Sequence, residues 1–240
     1  MSGASVVRVS RRSFLIPVIL TFLLGPTVLV GCGDSSAPTQ TQGPTYVATA
    51  LVPKVPVYDA PNSKVSQTLG NPDTYGQPLT FLVLDQQEDW VKVALPVRPN
   101  GSSGWVKITQ VSLKEDPYRL DVAQGAHEIR LFKDDALVKT FPIGVGKAET
   151  PTPGGTYYLR VLITTTQPSG AYGPYAYGLN GFSPVLKDFA GGDGVIGLHG
   201  TNEPSSVGKD VSHGCIRLKN EDILQLVKIL PLGTPVRILV

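Results

Sequence analysis

Thiols and imidazoles are scarce in this chain: two cysteines and three histidines in 240 residues. Two cysteines cannot staple a scaffold as disulfide-rich secreted domains are stapled. No second cysteine pair, HExxH segment or acidic ligand cluster accompanies the histidines. Zinc would be left with one Cys and two His, and no metal is the expected reading. An excess of charge of one sign is also absent, with 21 Lys and Arg against 19 Asp and Glu. Without a basic surplus, nucleic acid is not an expected partner. Internal repeats are missing, and there is one long apolar run.

That run, Phe14 to Val30, follows Arg8, Arg11 and Arg12 and leads into Leu29-Val30-Gly31-Cys32. A basic region, an apolar stretch and small residues, in that order, make an export signal. Broken by Pro17, Gly25 and Pro26, the run is short for a spanning helix. Leu29-Val30-Gly31-Cys32 resembles a bacterial lipobox, which implies cleavage before Cys32 and a lipid on that residue. Ser10-Arg11-Arg12-Ser13-Phe14-Leu15 also resembles a twin-arginine motif, so the export route stays open. Residues 1–31 are expected to be a lipoprotein signal peptide, with an uncleaved anchor as the alternative. The expected location is outside the cytoplasm, membrane-anchored through Cys32 and facing the cell wall or periplasm. Export removes three of the 21 basic residues, leaving 18 against 19 acidic ones. With Cys32 lipidated, Cys215 has no disulfide partner in the monomer. A lone thiol in an oxidising compartment is either functional or a small buried hydrophobe.

Residues 32–44 are rich in Ser, Thr, Gln, Gly and Pro and too poor in apolar side chains to bury a core, so they read as a flexible tether. Residues 45–114 read as short strands with Gly, Pro and Asn at the joints, which predicts a small β-barrel. The Trp90 strand, the Arg98-Pro99-Asn100-Gly101 turn and Gly104-Trp105-Val106 resemble a bacterial SH3-type domain. Trp90 and Trp105 are read as core rather than as a ligand surface. Lys114-Glu115-Asp116 reads as a polar joint. A second all-strand region, 117–240, follows. Glu128 to Lys133 and Ala136 to Phe141 flank Asp134-Asp135 as a hairpin. Thr156 to Ile163 is a further strand. One helix is predicted: Asn220 caps it, Glu221 and Asp222 suit its positive end, Ile223, Leu226, Val227 and Leu230 make its apolar face, and Pro231 stops it. Val236 to Val240 closes the fold. Thr164 to Pro184, with many glycines and aromatics, reads as a long loop. It is expected to be a lid with Tyr175, Tyr177 and Phe182 as wall residues, or else a surface excursion packed on the sheet.

The chemistry concentrates in Ser212-His213-Gly214-Cys215-Ile216-Arg217, with His199-Gly200 sixteen residues before the cysteine. An ordinary thiol is a few per cent thiolate at neutral pH, and a neighbouring imidazolium with converging N–H groups raises that fraction. Extended backbone puts His213 and Cys215 on one face, so proximity favours His213 as base. Gly214 lets backbone approach a substrate carbonyl, and the N–H groups of Gly214 and Cys215 are candidate oxyanion donors.

These residues, with Thr152-Pro153-Gly154-Gly155-Thr156-Tyr157, Gly173-Pro174-Tyr175-Ala176 and Leu198-His199-Gly200-Thr201-Asn202, resemble the L,D-transpeptidases of the bacterial cell wall, the YkuD type, over Tyr118 to Val240. The two resemblances together imply a mainly β fold: an SH3-like barrel, then an L,D-transpeptidase β-sandwich with one clear helix after the catalytic motif. The L,D-transpeptidase resemblance makes Cys215 the nucleophile and His199 the base, oriented by the Gly200 carbonyl, with His213 and Gly214 shaping the thiolate and oxyanion pocket. Arg217 is then a candidate anchor for a substrate carboxylate, or a structural ion pair. Ser212, Asn202, Tyr175, Tyr177 and Phe182 complete the substrate-binding candidates. The implied activity is a 3→3 cross-link between peptidoglycan stem peptides with release of D-Ala, needing no cofactor and contributing to cell-wall organisation and cell shape. Water as acceptor would make it an L,D-carboxypeptidase, and a protein amine would make it a protein-anchoring enzyme. A non-catalytic wall-binding lipoprotein is the remaining alternative.

Overall fold

The computed structural model describes residues 44–188 and 192–240, within one compact unit, 41–240. The export segment, Cys32 and the tether through residue 43 lie outside the described residues. Nearly all the regular elements are strands. β1 (Thr45–Ala50), β2 (Lys54–Tyr58), β3 (Val65–Gly70), β4 (Thr80–Gln87), β5 (Trp90–Ala94), β6 (Ser103–Lys107) and β7 (Val111–Asp116) form one sheet. Their order is β3-β2-β6-β5-β4-β1-β7, and every pair is antiparallel. Val55, Val57, Phe81, Val91, Val93 and Val106 come from four of its strands yet share one buried cluster, so the sheet curls on itself. Trp90 and Trp105 are each 7% exposed and belong to the core.

One expectation fails here. Lys114-Glu115-Asp116 is strand, not joint: Thr45, Tyr46 and Val47 pair with Asp116, Glu115 and Lys114. An edge strand needs backbone partners on one side only and tolerates charged side chains, so alternation is weak there. Buried Asp116 accepts from the Tyr118 N–H at 3.0 Å and from the Thr234 hydroxyl at 2.7 Å, joining the two sheets.

The second sheet comes from β8 (Tyr118–Ala123), β9 (Glu128–Lys133), β10 (Ala136–Pro142), β12 (Gly155–Thr164), β13 (Tyr175–Phe182), β14 (Val195–His199), β16 (Ile216–Arg217) and β17 (Pro235–Leu239), with short β11 (Val145–Gly146) and β15 (Asp210–Ser212) paired beside it. The order is β10-β9-β8-β17-β12-β13-β14-β16. The β9–β10 hairpin turns on Asp134 and Asp135 with φ of 49° and 62°, the left-handed pair that matches strand twist. Leu159, Leu179, Ile196, Leu198 and Ile216 are at most 1% exposed, each contributing about 2 kcal/mol by burial.

Two more expectations are corrected. The stretch 164–184 is not one loop, because 175–182 is β13, paired with β12 and β14. Its glycines make room for neighbours: a methyl on Gly178 would lie 2.9 Å from Val161 Cγ2, and one on Gly181 would lie 2.5 Å from the Tyr157 ring. The loop shrinks to 165–174. The helix α1 (Asn220–Val227) does bury Ile223 and Leu226, but Lys219 holds the cap position with no side-chain cap. The Asn220 side chain is used elsewhere.

Candidate active site

Parallel pairing of β14 with β16 brings the two sequence motifs together. His199 ends β14 and pairs with Arg217, while Cys215 immediately precedes β16. Sixteen residues of separation thus become adjacent strands. Gly197, two residues before His199, floors the site. Its N–H donates to Cys215 Sγ at 3.3 Å. A methyl on Gly197 would lie 3.3 Å from His199 Cδ2 and 3.5 Å from Sγ. The imidazole edge bearing Nε2 and the thiol therefore converge over one glycine.

His199 is 3% exposed, and its Nδ1 lies 2.5 Å from the Gly200 carbonyl oxygen. A carbonyl can only accept, so Nδ1 carries the proton and Nε2 the lone pair. Burial pushes the His199 pKa from 6.5 down to about 4; the Gly200 bond opposes this and the Arg217 charge adds to it. Burial also pushes the Cys215 thiol up, against smaller pulls from the Gly197 N–H and Arg217. Low dielectric disfavours the charged form of both groups. Burial thus favours a neutral thiol beside a neutral imidazole over an imidazolium–thiolate pair. His213 is exposed at the mouth of the site.

The loop carrying Cys215 is fixed from several sides. Gly214 has φ +113°, a left-handed conformation that suits glycine. Buried Ser212 accepts the Gly214 N–H at 3.1 Å and donates to the Cys215 carbonyl at 2.6 Å. The Gly214 N–H, an expected oxyanion donor, is thus already engaged. The Cys215 N–H has no acceptor among the described residues. Thr152 donates to the Gly214 carbonyl at 2.9 Å and Thr150 to that of Ser212 at 3.1 Å.

Asn220 joins the segment after His199 to the 165–174 loop. Its Oδ1 accepts the Thr201 N–H at 2.8 Å, and a methyl on either Gly173 or Gly200 would collide with that oxygen. Tyr172, next to Gly173, sets its ring 4.7 Å from the His199 ring. Tyr172, His199 and Cys215 line both a cleft of about 450 Å³ and a smaller cavity of about 100 Å³ that adds Ser212, His213 and Arg217. A cavity of about 460 Å³ beside Val47 and Leu232 holds neither thiol nor imidazole, so volume alone does not mark the site.

The remaining candidates separate clearly. Arg217 lines the smaller cavity and donates to Glu203 at 3.0 Å, so it is both pocket wall and ion-pair partner. Asn202 is exposed and lines neither cavity. Tyr175 packs half-buried against the core. Tyr177 borders the cleft, but its side chain is fully buried and its hydroxyl donates to the Leu230 carbonyl at 2.9 Å. Phe182 is 3% exposed under the Arg98 guanidinium. Tyr175 and Phe182 line neither cavity, and Tyr172 is the aromatic whose ring stands beside His199. Tyr172, Gly197 and Asn220 were missed. Tyr172 does sit in a Gly-Ala-Tyr-Gly run that the long-loop reading covered.

Residues 117–238 match the family model of the YkuD L,D-transpeptidase catalytic domain. A Bacillus licheniformis protein named as the L,D-transpeptidase YkuD is 43% identical over 122 residues, which take in 51% of this chain and 66% of that protein. The Escherichia coli protein ErfK/SrfK, also named as an L,D-transpeptidase, is 32% identical over 187 residues, covering 69% of this chain and 56% of its own length. The matched parts thus span no more than about two thirds of these relatives. A solved L,D-transpeptidase from Mycobacterium smegmatis aligns with TM-score 0.42 and 14% identity, over 68% of this chain and 90% of that one. With the family match taking in half of its residues, the chain belongs to the YkuD L,D-transpeptidase catalytic-domain family.

Proposed function

We propose that this protein forms 3→3 cross-links between peptidoglycan stem peptides by acyl transfer through Cys215. The observation that carries the reading is the convergence of His199 and Cys215 over Gly197, with the His199 tautomer set by the Gly200 carbonyl. A carbonyl orients the imidazole without placing a negative charge behind it, and burial keeps the ring neutral.

In the first half-reaction, Nε2 takes the thiol proton as Sγ attacks the carbonyl of the L-to-D peptide bond after the third stem residue. An Sγ–C bond forms, the C–N bond breaks, and the proton passes to the departing D-Ala amine. A thioester remains. In the second half-reaction, the side-chain amine of another stem's diamino acid attacks that thioester. Its proton returns through His199 to sulfur, and the thiol is regenerated. The Cys215 N–H is the donor available to the developing oxyanion, worth about 3 kcal/mol of barrier. Two cavities meeting at one thiol suit a donor and an acceptor that arrive in turn. Arg217 can exchange its exposed partner Glu203 for a substrate carboxylate. No cofactor takes part in these steps.

Purified protein incubated with a defined tetrapeptide stem, and the products weighed, tests this reading. A dimer lacking one D-Ala is the expected product. Loss of D-Ala without a dimer would make the enzyme an L,D-carboxypeptidase, and a protein-linked stem would make it an anchoring enzyme. Unchanged substrate would leave the wall-binding lipoprotein, whose function survives Cys215→Ala. We further propose that the first sheet is an SH3-like domain, and that the protein is exported and held at the membrane by a lipid on Cys32. Loss of metabolic lipid labelling in Cys32→Ala is the expected result, and retained labelling would refute it.

A further inference from the structure

Tyr75 lies between β3 and β4, outside the family-matched segment, yet it lines the cleft that contains Cys215 and His199. The loop that carries it is fixed to β12. Asp73 and Arg160 form an ion pair at 3.2 Å with side chains 3% and 8% exposed; the Arg160 Nε–H is not aligned for a hydrogen bond, so this attraction is ionic. Arg160 also donates to Thr74 Oγ1 at 3.2 Å and lies 5.3 Å from the centre of the Tyr75 ring. Gln77 accepts the Leu162 N–H at 3.0 Å and donates to the Leu162 carbonyl at 2.5 Å. These groups hold the ring at the cleft wall from both sides of the loop.

The first sheet also shapes the cleft a second way. Arg98 donates to the carbonyls of Ser183 at 3.0 Å, Leu186 at 3.3 Å and Asp193 at 2.7 Å. Asn100 pairs with both backbone groups of Phe182, at 2.8 and 2.9 Å. Asp193, held by Arg98, and the adjacent Gly194 line the cleft with Tyr75.

We propose that Tyr75 is a substrate-positioning residue, supplied by the first sheet, that selects the stem peptide in the larger cleft. This deepens the transpeptidase reading and rests on it. At 42% exposure, its phenol presents an apolar ring and a hydroxyl to an extended peptide. The immobilised loop lets it do so without the entropy cost of ordering a free side chain. The first sheet is then part of the catalytic unit rather than a separate wall anchor.

The test measures binding apart from turnover. In the full chain carrying Cys215→Ala, calorimetric titration with the tetrapeptide stem is compared with the same chain also carrying Tyr75→Ala or Tyr75→Phe. Tyr75→Ala should weaken binding by about tenfold or more, and Tyr75→Phe by less than about threefold. With Cys215 intact, Tyr75→Ala should raise KM while kcat stays within about threefold. Its melting temperature and rate of Cys215 alkylation by iodoacetamide should match those of the unaltered protein, which separates positioning from structural damage. Equal stem affinity with and without the Tyr75 ring overturns the inference, as does no stem binding by either chain. Tyr75-dependent binding without any product from the unaltered protein would keep the inference and sink the transpeptidase reading.

Discussion

Acidification should leave His199 a working base well below the range in which an ordinary histidine protonates. The ring is 3% exposed, and burial takes its pKa from 6.5 to about 4. At about pH 5.5 an ordinary imidazole is roughly one-tenth neutral, whereas one titrating near 4 is more than about nine-tenths neutral. The acid limb of kcat/KM is therefore expected near pH 4. Burial raises the thiol above its ordinary 9.0, so iodoacetamide alkylation, which reports thiolate, should climb through the basic range with no plateau at neutrality. A neutral plateau would reveal a thiolate–imidazolium pair, and an acid limb at 6.5 would reveal a solvated ring; either refutes the reasoning. Stability follows the same group. The unfolded chain binds a proton at 6.5 and the folded chain only near 4. Stability is therefore full above 6.5 and falls as pH drops towards 4, by about 3 kcal/mol. His199→Gln should flatten that slope in urea denaturation across the same window.

Gly214→Ala forces a methyl into φ +113° and to 3.2 Å from Ile196 Cδ1, which should cost about 1–3 kcal/mol in thermal unfolding and displace the Cys215 loop. Asn220→Ala removes the acceptor of the Thr201 N–H and should lower kcat by about tenfold through a misplaced His199, while alkylation of Cys215 at high pH is unchanged. Asp73→Ala leaves the Arg160 charge buried without its ion-pair partner and should destabilise the fold by about 3–5 kcal/mol in urea denaturation.

Periodicity made the long strands legible. Thr156 to Ile163 and the β9–β10 hairpin announce themselves by alternation and by two residues suited to positive φ. Edge strands were harder, because β7 carries charges that an unpaired edge permits. β13 was hidden by glycines, which signal turns in a sequence but here accommodate Val161 and Tyr157 crossing the strand. Cys215, His199 and Gly200 were legible through the family pattern. Proximity alone pointed to His213, since no local pattern shows that β14 and β16 become neighbours. In the sequence Asn220 has the position of a helix cap, the local use of such a side chain; a contact nineteen residues away claims it instead. Tyr75 left no trace, since its role depends on how the loop before β4 docks on β12.

The intact mass of the full protein, taken within seconds of mixing with a tetrapeptide stem and followed by peptide mapping, tests the central claim most directly. The account predicts an adduct equal to the stem less D-Ala, carried on the peptide containing Cys215, abolished by Cys215→Ala and slowed by His199→Gln. An unmodified Cys215 in protein that consumes the stem, or an adduct that persists in Cys215→Ala, would contradict it.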